Sequence, residues 1–236
     1  MKRLAYTVLA VMMLVSAIKL PALAQSEETR QVSDFNSIVS GEVLSVHVKI
    51  DGTESLKISA RADIIKVIET VVENGTLKIK FKDNLKSGEG DSDGPIDIYV
   101  TAKSLSSLVK EGSGYLTVDG PLTGGDVSII SNGSGIVRAS VESGNFKVTI
   151  NGPSNVGLSG AADKAEVTIT GPGTMNGRDL KTKDASVMIT GAGSAYFGAD
   201  KTVSAHIAGS GGVVYSGDAT VTESKIDGSG TISKAN

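Results

Sequence analysis

Apolar and polar residues alternate along most of this chain, the period of two that marks strands with one buried face. Leu44, Val46, Val48 and Ile50 alternate with Ser45, His47 and Lys49, and Leu56, Ile58 and Ala60 give a second run. Val71 and Val72 precede Asn74-Gly75, and Leu77, Ile79 and Phe81 follow it. Asn-Gly supplies the two positive φ angles of a type I′ turn, so this stretch predicts a hairpin. A polar stretch over 82–94 then leads into a strand beginning at Ile96.

Beyond Val100 the pattern repeats. Gly112-Ser113-Gly114, Gly133-Ser134-Gly135, Gly152-Pro153-Ser154, Gly171-Pro172-Gly173, Gly191-Ala192-Gly193, Gly209-Ser210-Gly211 and Gly228-Ser229-Gly230 mark the units. Successive first glycines lie 21, 19, 19, 20, 18 and 19 residues apart (133−112, 152−133, 171−152, 191−171, 209−191, 228−209). Two and four residues before the glycine stand Ile150 and Val148, Ile169 and Val167, Ile189 and Val187, or Ile207 and Ala205. Four and six residues after it stand Leu116 and Val118, Val156 and Leu158, Ala195 and Phe197, or Val213 and Tyr215. Each unit therefore reads as two short strands joined by a Gly-x-Gly corner and closed by a variable polar segment.

Two such strands cannot bury their inner faces alone, whereas stacked copies can. The expected fold is all-β: a right-handed parallel β-helix of about six coils, each about 20 residues long and burying about four apolar side chains. An N-terminal strand and hairpin region continuous with it precedes the repeats. The divisions expected are 1–24, 25–105 and 106–236. Gly152-Pro153-Ser154 lacks the second glycine and predicts a corner that turns differently. Gly177 stands where other units carry a large apolar residue and predicts a lightly packed coil. The polar end of the last unit, with Lys234, predicts a blunted edge.

Composition sharpens this picture. Glycine is 29 of 236 residues, roughly 12% against about 7% in average usage; its regular spacing points to conformational need and away from a flexible linker. Lys2 and Arg3, an apolar run from Leu4 to Ile18, and Ala22-Leu23-Ala24 before Gln25 form the pattern of a cleaved signal peptide. Removing Lys2, Arg3 and Lys19 takes the formal charge from −3 to −6 (−3 − 3), which argues against nucleic acid or anionic lipid as partner. No cysteine is present, so there is no disulfide, thiolate metal site or lipid-modified cysteine. No second apolar run long enough to span a bilayer follows, and no run of membrane-barrel strands.

Arg30-x-Val32-x-x-Phe35, Ile38, Gly41, the Asn74-Gly75-Thr76-Leu77 turn and the recurring Gly-Ser-Gly corners resemble the putative auto-transporter adhesin head domain family, the GIN domain. Gly209-Ser210-Gly211-Gly212-Val213-Val214-Tyr215-Ser216-Gly217 is the most specific piece, and the resemblance covers nearly the whole mature chain. It implies an exported single-chain β-helix of bacterial envelopes, suggests adhesion, and carries no catalytic residues.

Catalytic chemistry on a β-helix needs acids or bases converging on one patch. Relative to the unit glycine, only Asp200 and Asp218 share a column, in the polar segment where solvated charges are common. Glu89, Asp91 and Asp93 alternate in a Gly-rich stretch that could hold calcium, but they lack EF-hand spacing, and an exposed acidic loop is the expectation. His47 and His206 fall on outward phases and read as surface histidines, with no second histidine at ligand spacing. Nucleotide-binding and nucleophile-elbow motifs are absent. Tyr115 and Tyr196 are the outward aromatics that could stack on sugars; Phe197 and Tyr215 read as core, and Asn132 and Asn151 as a ladder between units.

The leading reading is an exported, non-enzymatic adhesin-like or envelope-binding module that uses the solenoid surface, with a polysaccharide or other envelope component as partner. No catalytic, cofactor or metal residue is assigned, and no cofactor is expected. A pectinase-like polysaccharide enzyme and a structural periplasmic protein are the alternatives. Neither the ligand, the side of the outer membrane nor the oligomeric state follows from the sequence.

Overall fold

The computed structural model describes residues 25–83 and 94–235. The signal-peptide pattern and the acidic stretch Glu89, Asp91 and Asp93 lie outside the described residues. The chain enters through β1 (Gln25–Arg30), β2 (Ser37–Ser40), β3 (Ser45–Ile50) and β4 (Ser55–Arg61). A short helix α1 (Ala62–Val67) leads to the hairpin β5 (Ile68–Glu73) and β6 (Thr76–Phe81), then β7 (Asp97–Ala102) and β8 (Ser107–Gly112). The long bent strands follow: β9 (Tyr115–Gly133), β10 (Ile136–Asn151), β11 (Asn155–Thr170), β12 (Thr174–Gly191) and β13 (Ser194–Gly209). β14 (Gly212–Ser216), β15 (Thr220–Gly228) and β16 (Thr231–Lys234) complete the chain. Together they form a parallel β-solenoid of about seven turns spaced by about 19 residues.

The seven turns exceed the six expected because the N-terminal region supplies rungs of its own. β2 pairs in parallel with β8, and β3 with β9, although some 70 residues separate them in sequence. β6 and β7 add further parallel rungs on β2 and β3. Antiparallel strands then close this end, β4 on β7, β1 on β4, and β5 on β6. The Asn-Gly hairpin forms as expected, with Asn74 at φ 49° and Gly75 at φ 73°. Helix α1 buries Ile64 and Ile65 beside it.

Each long strand crosses three stacks. The first holds the residues after a corner, such as Leu116, Val137, Val156, Met175, Ala195 and Val213 in one inward column. The last holds those before the next corner. Between them the supposedly variable polar segment is itself a ladder: Leu122, Val141, Gly160 and Leu180 stack in register, and the three larger ones are fully buried. An interior turn thus buries more than the four side chains expected. Val141, Phe146, Val148, Ile150, Val156 and Leu158 are all core.

The corners show why glycine recurs. Gly209 has φ 129°, and a Cβ there would stand 2.4 Å from the Gly191 carbonyl oxygen. At Gly211 a Cβ would stand 2.6 Å from Ile189 Cγ2 and 2.7 Å from the Gly193 carbonyl oxygen, so the second glycine is demanded by the isoleucine in the turn below. Ser154, where the second glycine is missing, sits above Ser131 instead of an isoleucine. Ser131 Oγ donates to Ser154 Oγ at 2.9 Å, and Ser154 Oγ donates to the Gly133 carbonyl at 2.9 Å. The corner keeps its glycine geometry, with Gly152 at φ 97°, and Asn155 and Thr174 make the same backbone bonds as their counterparts. It differs at Pro153, which has no N–H to match the bonds that Ser134, Ser210 and Ser229 donate to the glycine carbonyl of the turn below.

The Gly177 coil is not lightly packed either. Leu180 and Met175 close over the position, at 3.3 and 3.4 Å from where a Cβ would lie, and both are fully buried.

Candidate functional site

Outward residues on the last stack form two parallel banks. One bank is Asp126, Asn145, Lys164, Asp184 and Thr202; the other is Ser128, Lys147, Glu166, Ser186 and Ser204. The inward residues between them, including Phe146 and Ala165, offer only backbone as a floor, leaving a groove of about 710 Å³ along the solenoid axis. With rungs about 4.8 Å apart and banks two residues apart along the strand, it is on the order of 20 Å long and 7 Å across.

Register brings the bank residues into contact across turns. Asn145 Nδ2 donates to Asp126 Oδ1 at 2.8 Å, Thr202 Oγ1 donates to Asp184 Oδ1 at 2.6 Å, and Lys147 Nζ donates to Glu166 Oε1 at 2.7 Å. Ser128 donates to Ser107 at 2.9 Å at one end, and Ser204 to Glu223 at 3.3 Å at the other. These pairs hold their polar atoms in place before any ligand arrives. The side chains of Lys164, on the middle rung of the groove, and Ser186, one rung further on, are left without a hydrogen bond or ion pair among the described residues.

The first stack carries a second groove near the N-terminal end, lined by His47, Lys57, Tyr99, Thr117 and Arg138 among others. His47 is more than the isolated surface histidine expected. Its ring nitrogens lie 3.2 Å from Thr117 Oγ1 and 3.2 Å from Asp97 Oδ1, and its ring stacks on Tyr99 at 5.3 Å. Lys57 Nζ lies 5.2 Å from the Tyr99 ring centroid. Rings stacked along the axis present their edges to solvent, so this cluster is no flat platform for a sugar. Tyr196 is occupied in the same way, with the Arg178 guanidinium 4.0 Å from its centroid. Tyr115 stays exposed.

The remaining sequence candidates fall as follows. Asp200 and Asp218 sit in neighbouring turns, and Asp218 is fully solvated with Lys234 Nζ 3.8 Å away. Among the described residues no three acids, histidines or cysteines cluster to hold a metal. His206 faces Asp227 at 3.6 Å. Asn151 Nδ2 donates to Asn132 Oδ1 at 2.9 Å, the expected ladder. Phe197 and Tyr215 are core residues.

Within the core one ionisable group stands out. Lys110 is fully buried, and its Nζ donates to the carbonyl oxygens of Glu42, at 2.9 Å, and of Glu111. Burial pulls its pKa down to about 8, against the opposing pull of the Glu42 and Glu111 carboxylates. Among the described residues, no helix is long and apolar enough to cross a membrane.

The same architecture recurs in solved structures. A putative adhesin from Bacteroides fragilis matches at a TM-score of 0.80 and 23% identity, over 91% of this chain and 99% of that one. A putative lipid binding protein from Parabacteroides distasonis matches at 0.73 and 22%, over 90% and 97%. A putative adhesin from Parabacteroides merdae matches at 0.67 and 20%, over 90% and 96%. At these identities the likeness shows the fold alone. No curated protein matches the chain. Family membership rests on the sequence pattern over residues 34–219, and by it this chain belongs to the family described as putative auto-transporter adhesin, head GIN domain.

Proposed function

We propose that the protein is an exported adhesin-like module that holds an extended, hydroxyl-rich polymer, a linear polysaccharide of an envelope or surface, along the groove of the last stack. The observation that carries this reading is the groove itself: two straight banks of small and polar side chains, fixed by cross-turn hydrogen bonds, with the side chains of Lys164 and Ser186 unengaged on adjacent rungs. A chain lying along the solenoid axis would meet a repeating set of donors and acceptors at each rung, with little ordering cost on the protein side. Export is supported by the leader pattern of residues 1–24 and by the family's adhesin description. A lipid is a weaker ligand for this site, because Asp, Asn, Lys, Glu, Ser and Thr make up both banks and the interior beneath is filled with side chains.

Residues 25–236 incubated with a panel of insoluble polysaccharides should co-sediment with at least one and release no sugar ends. Ser186→Trp, which fills the groove from an exposed position, should weaken that binding at least tenfold without changing the melting temperature. Binding indifferent to Ser186→Trp would remove the groove from the function. Release of sugar ends would instead favour the polysaccharide-active enzyme.

A further inference from the structure

The two ends of the solenoid are built differently. Among the described residues β15 pairs only with β13, and β16 only with β14, so the last turn has one free edge. All nine residues of β15 are exposed. Val221 and Ile226 keep 36% and 38% of their surface, whereas Val203 and Ile207, directly below them in the same inward columns, keep none. The outer edge of β15 therefore presents unpaired backbone donors and acceptors beside half-covered apolar side chains, the arrangement on which another strand can add.

We propose that this edge joins two copies of the chain tail to tail, β15 pairing antiparallel with β15 of the second copy in the register centred on Ser224. A strand that pairs with its own copy about a two-fold axis can slide, and its charges choose the register. Ser224 lies within the regular part of β15, beyond the bulge at Thr222, and centring on it sets Glu223 of each copy opposite Lys225 of the other, twice. Shifting the centre to position 223 or 225 sets Glu against Glu or Lys against Lys, and centring on Ile226 opposes Lys225 to Asp227, which His206 and Lys225 of its own chain already face, while leaving Glu223 opposite Ser229 outside the strand. Directly opposed charges of unlike sign favour an antiparallel pair and like charges oppose it. Present contacts leave both groups available: Glu223 accepts only a 3.3 Å bond from Ser204, and Lys225 lies 3.7 Å from Asp227, all at the surface. The self-complementary charge pattern identifies a second copy as the occupant. In such a dimer the two grooves of the last stacks would run on from one copy to the other, but the pairing does not depend on what the groove binds.

Sedimentation of residues 25–236 over micromolar to submillimolar concentrations should show a monomer–dimer equilibrium. Glu223→Lys alone and Lys225→Glu alone should each weaken dimerisation at least tenfold, and the double reversal should restore it, with unchanged melting temperatures because the strand is exposed. The chain has no cysteine of its own, so Ser224→Cys gives a second reading. Opposed residues of an antiparallel pair lie about 5 Å apart at Cα, within disulfide reach, and mild oxidation should give a covalent dimer in high yield, whereas Thr220→Cys should not. A monomer at every concentration, or a dimer indifferent to the charge reversals and not trapped at position 224, overturns the proposal.

Discussion

A single inward column runs the length of the solenoid, and its two halves solve the same packing problem in opposite ways. From the N-terminal side it reads Ile79, Ser40, Lys110, Ser131, then Ile150, Ile169, Ile189, Ile207 and Ile226. In the isoleucine half Ile150, Ile169, Ile189 and Ile207 each rest under the bare second glycine of the corner in the next turn. In the polar half Ser40, Lys110 and Ser131 are as fully buried, yet Lys110 and Ser131 make hydrogen bonds to backbone carbonyls and to serine. Ser40 Oγ finds no partner among the described residues. The ladder fixes where a side chain points, and the corner above fixes how large it can be. Neither dictates that it be apolar, and the polar half gives up hydrophobic stabilisation that the other half keeps.

The strongest way to break the comparison is to place a charge in the isoleucine half. Ile169→Asp, in the middle of the column, should destabilise the protein by at least about 4 kcal/mol, since nothing nearby can pair with a buried carboxylate. The same change at Ile226, in the terminal turn where 38% of the residue is exposed, should cost no more than about 1 kcal/mol. Denaturant midpoints of the two variants test this, and equal costs would show that the ladder, not the number of turns stacked above, sets burial.

The polar half carries a pH signature that the isoleucine half lacks. The Lys110 ammonium, held at a pKa of about 8 in the fold, returns to about 10.4 in the unfolded chain. Below pH 8 both states hold the proton and the desolvation penalty is present in full. Between the two values only the unfolded chain stays protonated, and stability rises with pH by on the order of 3 kcal/mol in total. Lys80, Lys103 and Lys183, whose carboxylate partners raise their pKa values, act in the opposite sense and at higher pH. Lys110→Met should abolish the rise between pH 8 and 10 and raise stability at pH 7, because the Glu42 carbonyl still accepts from Ser113 and Gly114. A wild-type melting temperature flat over that range would mean that the ammonium is better solvated than its burial indicates.

Much of this column was legible in the sequence, because period-two alternation and a 19-residue repeat are local patterns that a reader can align. The isoleucines, the corners and the Asn74-Gly75 hairpin follow from them. What stayed hidden depends on register between turns. Leu122, Val141 and Leu180 do not stand out as a third ladder because the stretches holding them are only four residues long and shift register against their neighbours. Helix α1, with adjacent Ile64 and Ile65 buried, is too short to show a helical period. The groove could not be foreseen either. Its pairs, such as Asp126 with Asn145 and Lys147 with Glu166, lie 19 residues apart and look like ordinary surface polarity until the turns are stacked. Tyr196 looks like an outward stacking platform in the sequence because nothing local announces that Arg178 lies over it from the turn below.

The boundary between the halves, at Ser131 and Ser154, offers the finest test of the pairing rule. If the residue in the column and the second corner residue above it are chosen together, Ser131→Ile alone should be costly. The new side chain would press on Ser154 as Ile189 would press on a Cβ at position 211, 2.6 Å away, and it would strand the buried Ser154 hydroxyl without the donor it now has. Crowding of this kind costs about 2 kcal/mol. Ser154→Gly alone removes a buried hydroxyl together with its bonds to Ser131 and to Gly133, and should cost about 1 kcal/mol. Ser131→Ile and Ser154→Gly together recreate the Ile-below, Gly-above arrangement of the later turns, and the double variant should be at least as stable as the wild type. The expected coupling energy, about 3 kcal/mol in the favourable direction, is large for a contacting pair and can be read from four denaturation curves. Additive costs in that cycle would mean that the serines and the glycines were each selected on their own. The isoleucine column would then owe its regularity to repetition of one unit, with no demand passing from each turn to the next.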